Sequence, residues 1–485
     1  MKKILLQLFI LGGFSVSYAQ SYQIINNAVG KLDNFEAIFE KDELFGYVEV
    51  LNLDLDEKKV QRFKYNVLDK NMNSICTGEF TEDLEKKKSR KSNYQVEYNN
   101  GFIMFGLSEQ IKRANYYEYL GGNYKILDIK KNKIVASGDF KGKALSESNF
   151  MNAMIGEGVF TFLPLSDVGF LMQESFAGLF NFYSATGFDG ETIWNLEPRT
   201  DSDKMSSYLY SYLRRDENHL VFSVELQKRG KKISEGLAVH DAKTGAEVSF
   251  TDLSNKDYTL RFSTVFIEGE KTTIVGRYFE KEKRDIVKNE ESLGLYRRVV
   301  DIKSGKIIED KFLPYSAFGG LEINDNGRVK KEGYLSFQRI DKMPDQSYFI
   351  LAETYNKKKQ GAIYSEVFSF FLDKDFNFTK AESFDAKRTR GSKFSFAQNL
   401  ANNAGKAYMF YDKNDDKDLE LNVLNITFEN MKTSKYKLPI VNDKSTISVI
   451  PAKIGYVAIN EYFKNPKKGE KLMEVRLEKL NYELD

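Results

Sequence analysis

Residues 237–250 read LAVHDAKTGAEVSF, and residues 298–312 read RVVDIKSGKIIEDKF. Each is an apolar run ending in aspartate, a polar turn closed by Thr-Gly or Ser-Gly, and a second run ending in phenylalanine. The aspartate carboxylate can accept the amide two residues further on and close the turn. The glycine supplies the positive φ that the turn needs. This is the signature of a β-hairpin, and it recurs. Residues 65–80 read YNVLDKNMNSICTGEF, 124–140 read YKILDIKKNKIVASGDF, and 369–384 read SFFLDKDFNFTKAESF. Worn copies stand at 182–196, FYSATGFDGETIWNL, and 421–438, LNVLNITFENMKTSKYKL.

The spacing of the aspartates sets the size of the unit. Asp69 to Asp128 is 59 residues and Asp241 to Asp301 is 60, while Asp128 to Asp241 is 113, two units with the worn copy between them. Two further strand-like runs precede each hairpin. Leu220, Phe222, Val224 and Leu226 alternate with polar residues, the period of a half-buried strand. Four antiparallel strands in a tandem unit of roughly 50–60 residues make a β-propeller blade. The predicted fold is therefore all-β, a single propeller of eight four-stranded blades, with seven as the alternative count. The blades fall at about 33–81, 94–140, 159–196, 207–253, 259–313, 334–386, 394–438 and 445–482. The last has three strands of its own, which would leave an exposed sheet edge. Residues 21–28, SYQIINNA, are β-prone and have no partner in the first blade. The segment 20–28 is predicted to pair with 471–480 as the outer strand of the eighth blade.

Composition narrows the chemistry. Among 485 residues, 72 Lys and Arg oppose 70 Asp and Glu, so a net charge of +2 gives no global attraction to nucleic acid. A single cysteine, Cys76, excludes an internal disulfide, and only two histidines, His219 and His240, are available for catalysis or metal binding. Neither has a second His or Cys at ligand spacing, so both read as structural, and Cys76 reads as a small buried apolar residue. Gly-x-Ser-x-Gly, Cys-x-x-Cys and His-Glu-x-x-His are all absent from the sequence. Residues 412–418, DKNDDKD, resemble a calcium loop, but Lys417 stands where glycine is required and Val423 where glutamate is required. They read as a solvated turn, and neither a metal nor a cofactor is expected.

The amino terminus reads as an address. Lys2 and Lys3 precede an apolar run from Ile4 to Phe14, and Ser17 and Ala19 are small residues at the positions a signal peptidase requires. Residues 1–19 are predicted to be a cleaved signal peptide, because the run falls well short of the about 20 residues of a membrane span. No later stretch reaches that length, so no transmembrane segment is expected. The destination would be the periplasm, the cell surface or the extracellular medium. The hairpins quoted above resemble those of β-propellers in general. The turns at 241–245 and 301–305 resemble those of quinoprotein-type propellers, although that family's recurring docking tryptophan is not repeated here, Trp194 being the only one. Residues 189–194, DGETIW, are similar to a sialidase Asp box. Overall the chain most resembles uncharacterised secreted propeller-like proteins of Bacteroidota.

Candidate binding groups come from the loops. Those joining second and third strands carry Lys228, Arg229, Lys231 and Lys232; Lys357, Lys358 and Lys359; and Lys464, Lys467 and Lys468. The opposite loops are acidic at 216–218, 268–270 and 345. A cationic face of this kind would collect a protein or an anionic glycan. The function expected is therefore an exported, non-enzymatic binding propeller. The alternative is a carbohydrate-active enzyme with channel-facing carboxylates, which needs two acids about 5–10 Å apart. Glu36 and Glu97 lie near inner strands and are candidates for that pair. Residues 314–333, PYSAFGGLEINDNGRVKKEG, are the longest irregular segment, either a cover for the channel mouth or a surface insertion.

Overall fold

In the computed structural model the chain forms eight antiparallel sheets arranged as the blades of one propeller. The structure describes residues 21–25, 31–53, 60–85, 88–113, 117–140, 159–176, 180–197, 199, 206–228, 231–281, 291–329, 333–358, 361–384, 388–400, 403–413, 419–429, 431–440, 445–463 and 471–480. The signal segment lies outside them. The first strand of each blade faces the axis: Lys31–Glu40, Ser89–Asn99, Val159–Leu165, Ser206–Arg215, Tyr258–Glu268, Gly333–Lys342, Phe394–Asn399 and Ser445–Pro451. Among the described residues, no helix is long and apolar enough to cross a membrane.

The hairpin aspartates do what their spacing predicts. Asp69 Oδ1 accepts the Asn71 and Asn73 amides at 2.8 Å each. Asp241 Oδ1 accepts Lys243 N at 3.0 Å and Thr244 N at 2.8 Å, and Asp373 Oδ1 accepts Asn377 N at 2.8 Å. The turns also join blades. Trp194, on the outer strand of the third blade, donates from Nε1 to Ala242 O in the turn of the fourth at 3.3 Å. Asn132, in the turn of the second blade, donates to Thr77 O of the first at 2.9 Å and accepts the Tyr65 hydroxyl at 3.0 Å. A tryptophan meets a turn at this one junction, Trp194 on the turn of the fourth blade, while at the first junction the contact is made by Asn132 and Tyr65.

The core lies between blades. Phe63, Tyr65 and Phe80 of the first blade pack with Phe105 of the second, with ring centroids 5.6 Å apart for Phe80 and Phe105. Burial of one such phenylalanine is worth about 2–3 kcal/mol. Cys76 is half-buried at the margin of this cluster rather than inside it, because the outer strand alternates between core and solvent.

Closure follows the prediction. Ser21–Ile25 pairs antiparallel with Lys471–Lys479, with Ser21 opposite Arg476, Tyr22 opposite Val475 and Ile24 opposite Met473. It completes the eighth blade as its outer strand. The segment 314–333 is not a cover for the channel. Tyr315 and Phe318 are buried against each other, Phe318 packs on Phe370 and Phe378 of the sixth blade, and Arg328–Val329 adds a short strand beside Gly333 and Tyr334. Its aromatic residues draw it in as a wedge between the fifth and sixth blades.

Candidate functional site

Alternation along the inner strands places Asn34 with Glu36 on one face, and Gln95 with Glu97 on one face of the next blade. Each pair is joined by a hydrogen bond, Asn34 Nδ2 to Glu36 Oε1 at 2.8 Å and Gln95 Nε2 to Glu97 Oε1 at 3.1 Å. Both pairs also reach across to the following blade. Glu36 Oε2 accepts the Val96 amide at 2.9 Å. Gln95 Nε2 donates to Phe162 O at 2.7 Å. Gln398 repeats the device between the seventh and eighth blades, donating to Tyr456 O at 2.7 Å. Polar residues of these inner strands are thus clasps that stitch blades together, with a carboxylate at the first junction and an amide at the second and the seventh.

That choice has an electrostatic consequence. Burial raises the Glu36 pKa, opposed by the hydrogen bonds from Asn34 and Val96. Burial pushes Glu97 up to about 7; the Gln95 hydrogen bond opposes this, the charge of Glu36 adds to it, and Arg215 of the fourth blade opposes it. Burial raises the pKa of the Tyr212 phenol, and the charge of Arg215 opposes the rise. Glu36, Glu97, Tyr212 and Arg215 therefore form one electrostatically connected cluster on the channel wall. At the mouth beside them, Lys41 in the first blade pairs with Glu217 in the fourth at 3.0 Å, and Ser166 of the third donates to Glu217 O at 2.7 Å.

A second carboxylate cluster lies on the sixth blade. Asp341 accepts from Arg339 Nε and Nη2 at 2.9 Å each, from Lys406 Nζ at 2.9 Å and from the Tyr408 hydroxyl at 3.0 Å. Burial works to raise its pKa, but Arg339 and Lys406 outweigh burial and hold it at about 2. It is a fixed anion tying the sixth blade to the seventh.

The cationic rim is described in part. Lys228 stands opposite Lys231 at the turn between the second and third strands of the fourth blade. Lys357 and Lys358 stand opposite Ala362 and Gly361 at the same turn of the sixth. Lys232 is paired with Glu235 at 2.7 Å and Glu225 at 3.4 Å, so its charge is compensated. Arg229, Lys359, Lys464, Lys467 and Lys468 lie outside the described residues, as do residues 414–418 of the calcium-like turn. Among the described residues, no group of three His, Cys, Asp or Glu side chains is placed to hold a metal. His240 is buried, with Nδ1 2.9 Å from Gly245 O and its pKa lowered chiefly by burial. His219 Nδ1 lies 3.2 Å from Asp216 within its own turn.

The fold and channel define an eight-bladed propeller whose inner polar residues join blades. The chain belongs to a family of unknown function, DUF6770, whose model matches residues 1–371 and 369–481. No curated protein matches it. Among solved structures it is similar to the WD40 domain of SCAP from fission yeast, at 8% identity over 94% of this chain and 98% of that one, with a TM-score of 0.41. It is similar to the polysaccharide lyase Uly1 at 8% identity over 80% and 89%, with a TM-score of 0.43. It is similar to the β-propeller domain of the Trilobed protease from Pyrococcus furiosus at 10% identity over 86% and 99%, with a TM-score of 0.35.

Proposed function

We propose that this chain is an exported, non-enzymatic propeller that binds a protein or anionic glycan partner at its cationic rim. The observation that carries the reading is the engagement of the inner-strand acids. Glu36 is held by Asn34 and the Val96 amide, and Asp341 by Arg339, Lys406 and Tyr408, so both act in joining blades. A scaffold whose channel acids hold it together presents its binding chemistry on its loops. Charge reversal of Lys357, Lys358 and Lys359 should reduce retention on an anionic polysaccharide resin and flatten its salt dependence, with the melting temperature measured as the control for folding. Retention that ignores the reversal sinks the glycan form of the reading. Export is tested by mass spectrometry of the protein recovered from the periplasm or medium, which should begin at Gln20.

One observation favours the carbohydrate-active alternative: Glu97, with its pKa near neutrality, stands beside a second acid, Glu36, as a general acid would. Release of reducing ends from a mixed polysaccharide panel, abolished by Glu97→Gln, would replace binding by catalysis.

A further inference from the structure

Between the first and second blades, toward the end where the second strand of the second blade turns into its third, lies a cavity of about 510 Å³. Its wall carries Glu82, 5% exposed. Glu82 Oε2 accepts Lys91 Nζ and Asn123 Nδ2 at 2.7 Å each, and Oε1 meets Lys125 Nζ at 2.7 Å. Lys91 itself is fixed by Gln61 of the first blade, whose side chain bonds both the Lys91 amide, at 2.9 Å, and its carbonyl, at 2.6 Å. On the far side Glu109, also buried, accepts the Glu85 amide at 2.8 Å and the Ser89 hydroxyl. The site is therefore built and rigid, and the blade-to-blade clasps make it.

We infer that this inter-blade cavity binds a neutral polyhydroxylated ligand, a sugar ring. The argument is one of exclusion and of fit. Apart from Leu84, no large apolar or aromatic side chain lines it, so an acyl or aromatic ligand would strip water from charges and return nothing. Five carboxylates line it against two ammonium groups, which repels an anion. The two ammonium groups flank Glu82 and occupy the place a cation would take there. What remains unsatisfied is mixed. Each ammonium has three N–H donors; Lys91 gives one to Glu82 Oε2 and Lys125 forms an ion pair with Oε1, whereas the Asn123 Oδ1 acceptor has no hydrogen-bond partner among the described residues. A hydroxyl donates and accepts at once, so vicinal hydroxyls answer both needs where an ion of either sign answers one. The volume lies within the range of small-molecule sites, about 300–1,000 Å³.

This inference is independent of the cationic rim, because none of the rim residues lines the cavity. The test uses the chain from Gln20 onward, with saturation-transfer NMR and calorimetry against galactose, glucose and N-acetylglucosamine, and with putrescine and glucuronate as charged comparators. At least one neutral sugar should bind, and more tightly than either comparator. Ser137, an exposed residue of the outer strand that lines the cavity, gives the variant that separates binding from folding. Ser137→Phe should fill the opening and weaken the sugar by on the order of tenfold or more with the melting temperature unchanged. Lys125→Met should weaken it as well. Binding unaltered by Ser137→Phe, preference for putrescine or glucuronate, or no saturation transfer to any of the three sugars overturns the inference.

Discussion

Trp194 lies directly under Gly245: its indole Nε1 bonds Ala242 O at 3.3 Å, and a Cβ placed on Gly245 would stand 2.6 Å from its Cδ2. The relationship shows why the Asp-x-x-x-Gly hairpin is more than a turn. Its glycine, at φ 71°, lets the hairpin of one blade settle onto the outer strand of the blade before it.

Gly245→Ala should therefore combine two penalties. The left-handed backbone costs an alanine about 1–2 kcal/mol, and the clash with a buried indole adds to it. Gly269→Ala is the matched control, at φ 58° with nothing within 4 Å of a Cβ, and should pay the backbone penalty alone. Urea unfolding of both variants measures the difference. Equal destabilisation would mean that the Trp194 contact does not matter.

Glu97 gives a pH dependence with a definite sign. Its folded pKa is raised to about 7, so the folded state holds the proton more firmly than the unfolded chain. The protein is most favoured, as far as this group is concerned, below the unfolded pKa of about 4.3. That advantage is lost as pH rises through about 7, after which the cost of the buried charge is constant. Glu97→Gln should stabilise the protein by about 1–3 kcal/mol at pH ~8 and by little at pH ~4. A gain of the same size at both values would refute the assignment.

The hairpins were legible because their chemistry is local: Asp241 reaches amides two and three residues away, so the motif survives in the linear sequence. The closing strand was legible through strand bookkeeping, since three strands in the last blade left one edge without a partner. The channel cluster was legible in part: Glu36 and Glu97 stood out as a candidate pair of acids, but Arg215 and Tyr212 did not. Glu36, Glu97 and Arg215 come from three blades, and nothing local to Arg215 or Tyr212 says which acids they will face. The inter-blade cavity escaped for the same reason, because Glu82, Lys91 and Lys125 come from three strands of two blades and nothing local brings them together. For residues 314–333 the signal was present but was outweighed by the glycines and charges around it: Tyr315 and Phe318 are the aromatic anchors that pull the segment into the core.

Asp341 should behave in the opposite sense to Glu97. Its pKa is held at about 2 by Arg339 and Lys406, so its contribution is present above the unfolded pKa and is lost as pH falls through about 2. Asp341→Asn leaves two cations without their anion, a change that costs about 3–5 kcal/mol where such a pair is buried. Arg339 is partly exposed, so the lower end of that range is expected at pH ~7, shrinking toward pH ~2. Unfolding midpoints at the two pH values measure this, and a deficit that persists unchanged into acid would show that shape rather than charge is responsible.

Removal of the closing strand tests the architecture itself. Ser21–Ile25 supplies the outer strand of the eighth blade through its pairing with Lys471–Lys479, tying the start of the described chain to its end. Without it the third strand of that blade would present unpaired amides and carbonyls to solvent, a template for edge-to-edge association. A net hydrogen bond is worth about 0.5–1.5 kcal/mol, so a pairing of this length stabilises the ring by a few kcal/mol, less the entropy of ordering the segment. A chain beginning at residue 29 should melt several degrees below one beginning at residue 20 and should associate at concentrations where the longer chain does not. Added peptide of sequence SYQIINNA should restore part of the loss by occupying the vacated edge. Identical melting and no association in the shortened chain would mean that the propeller is held by its inter-blade cores alone, and that the terminal strand is an ornament to the ring rather than its fastening.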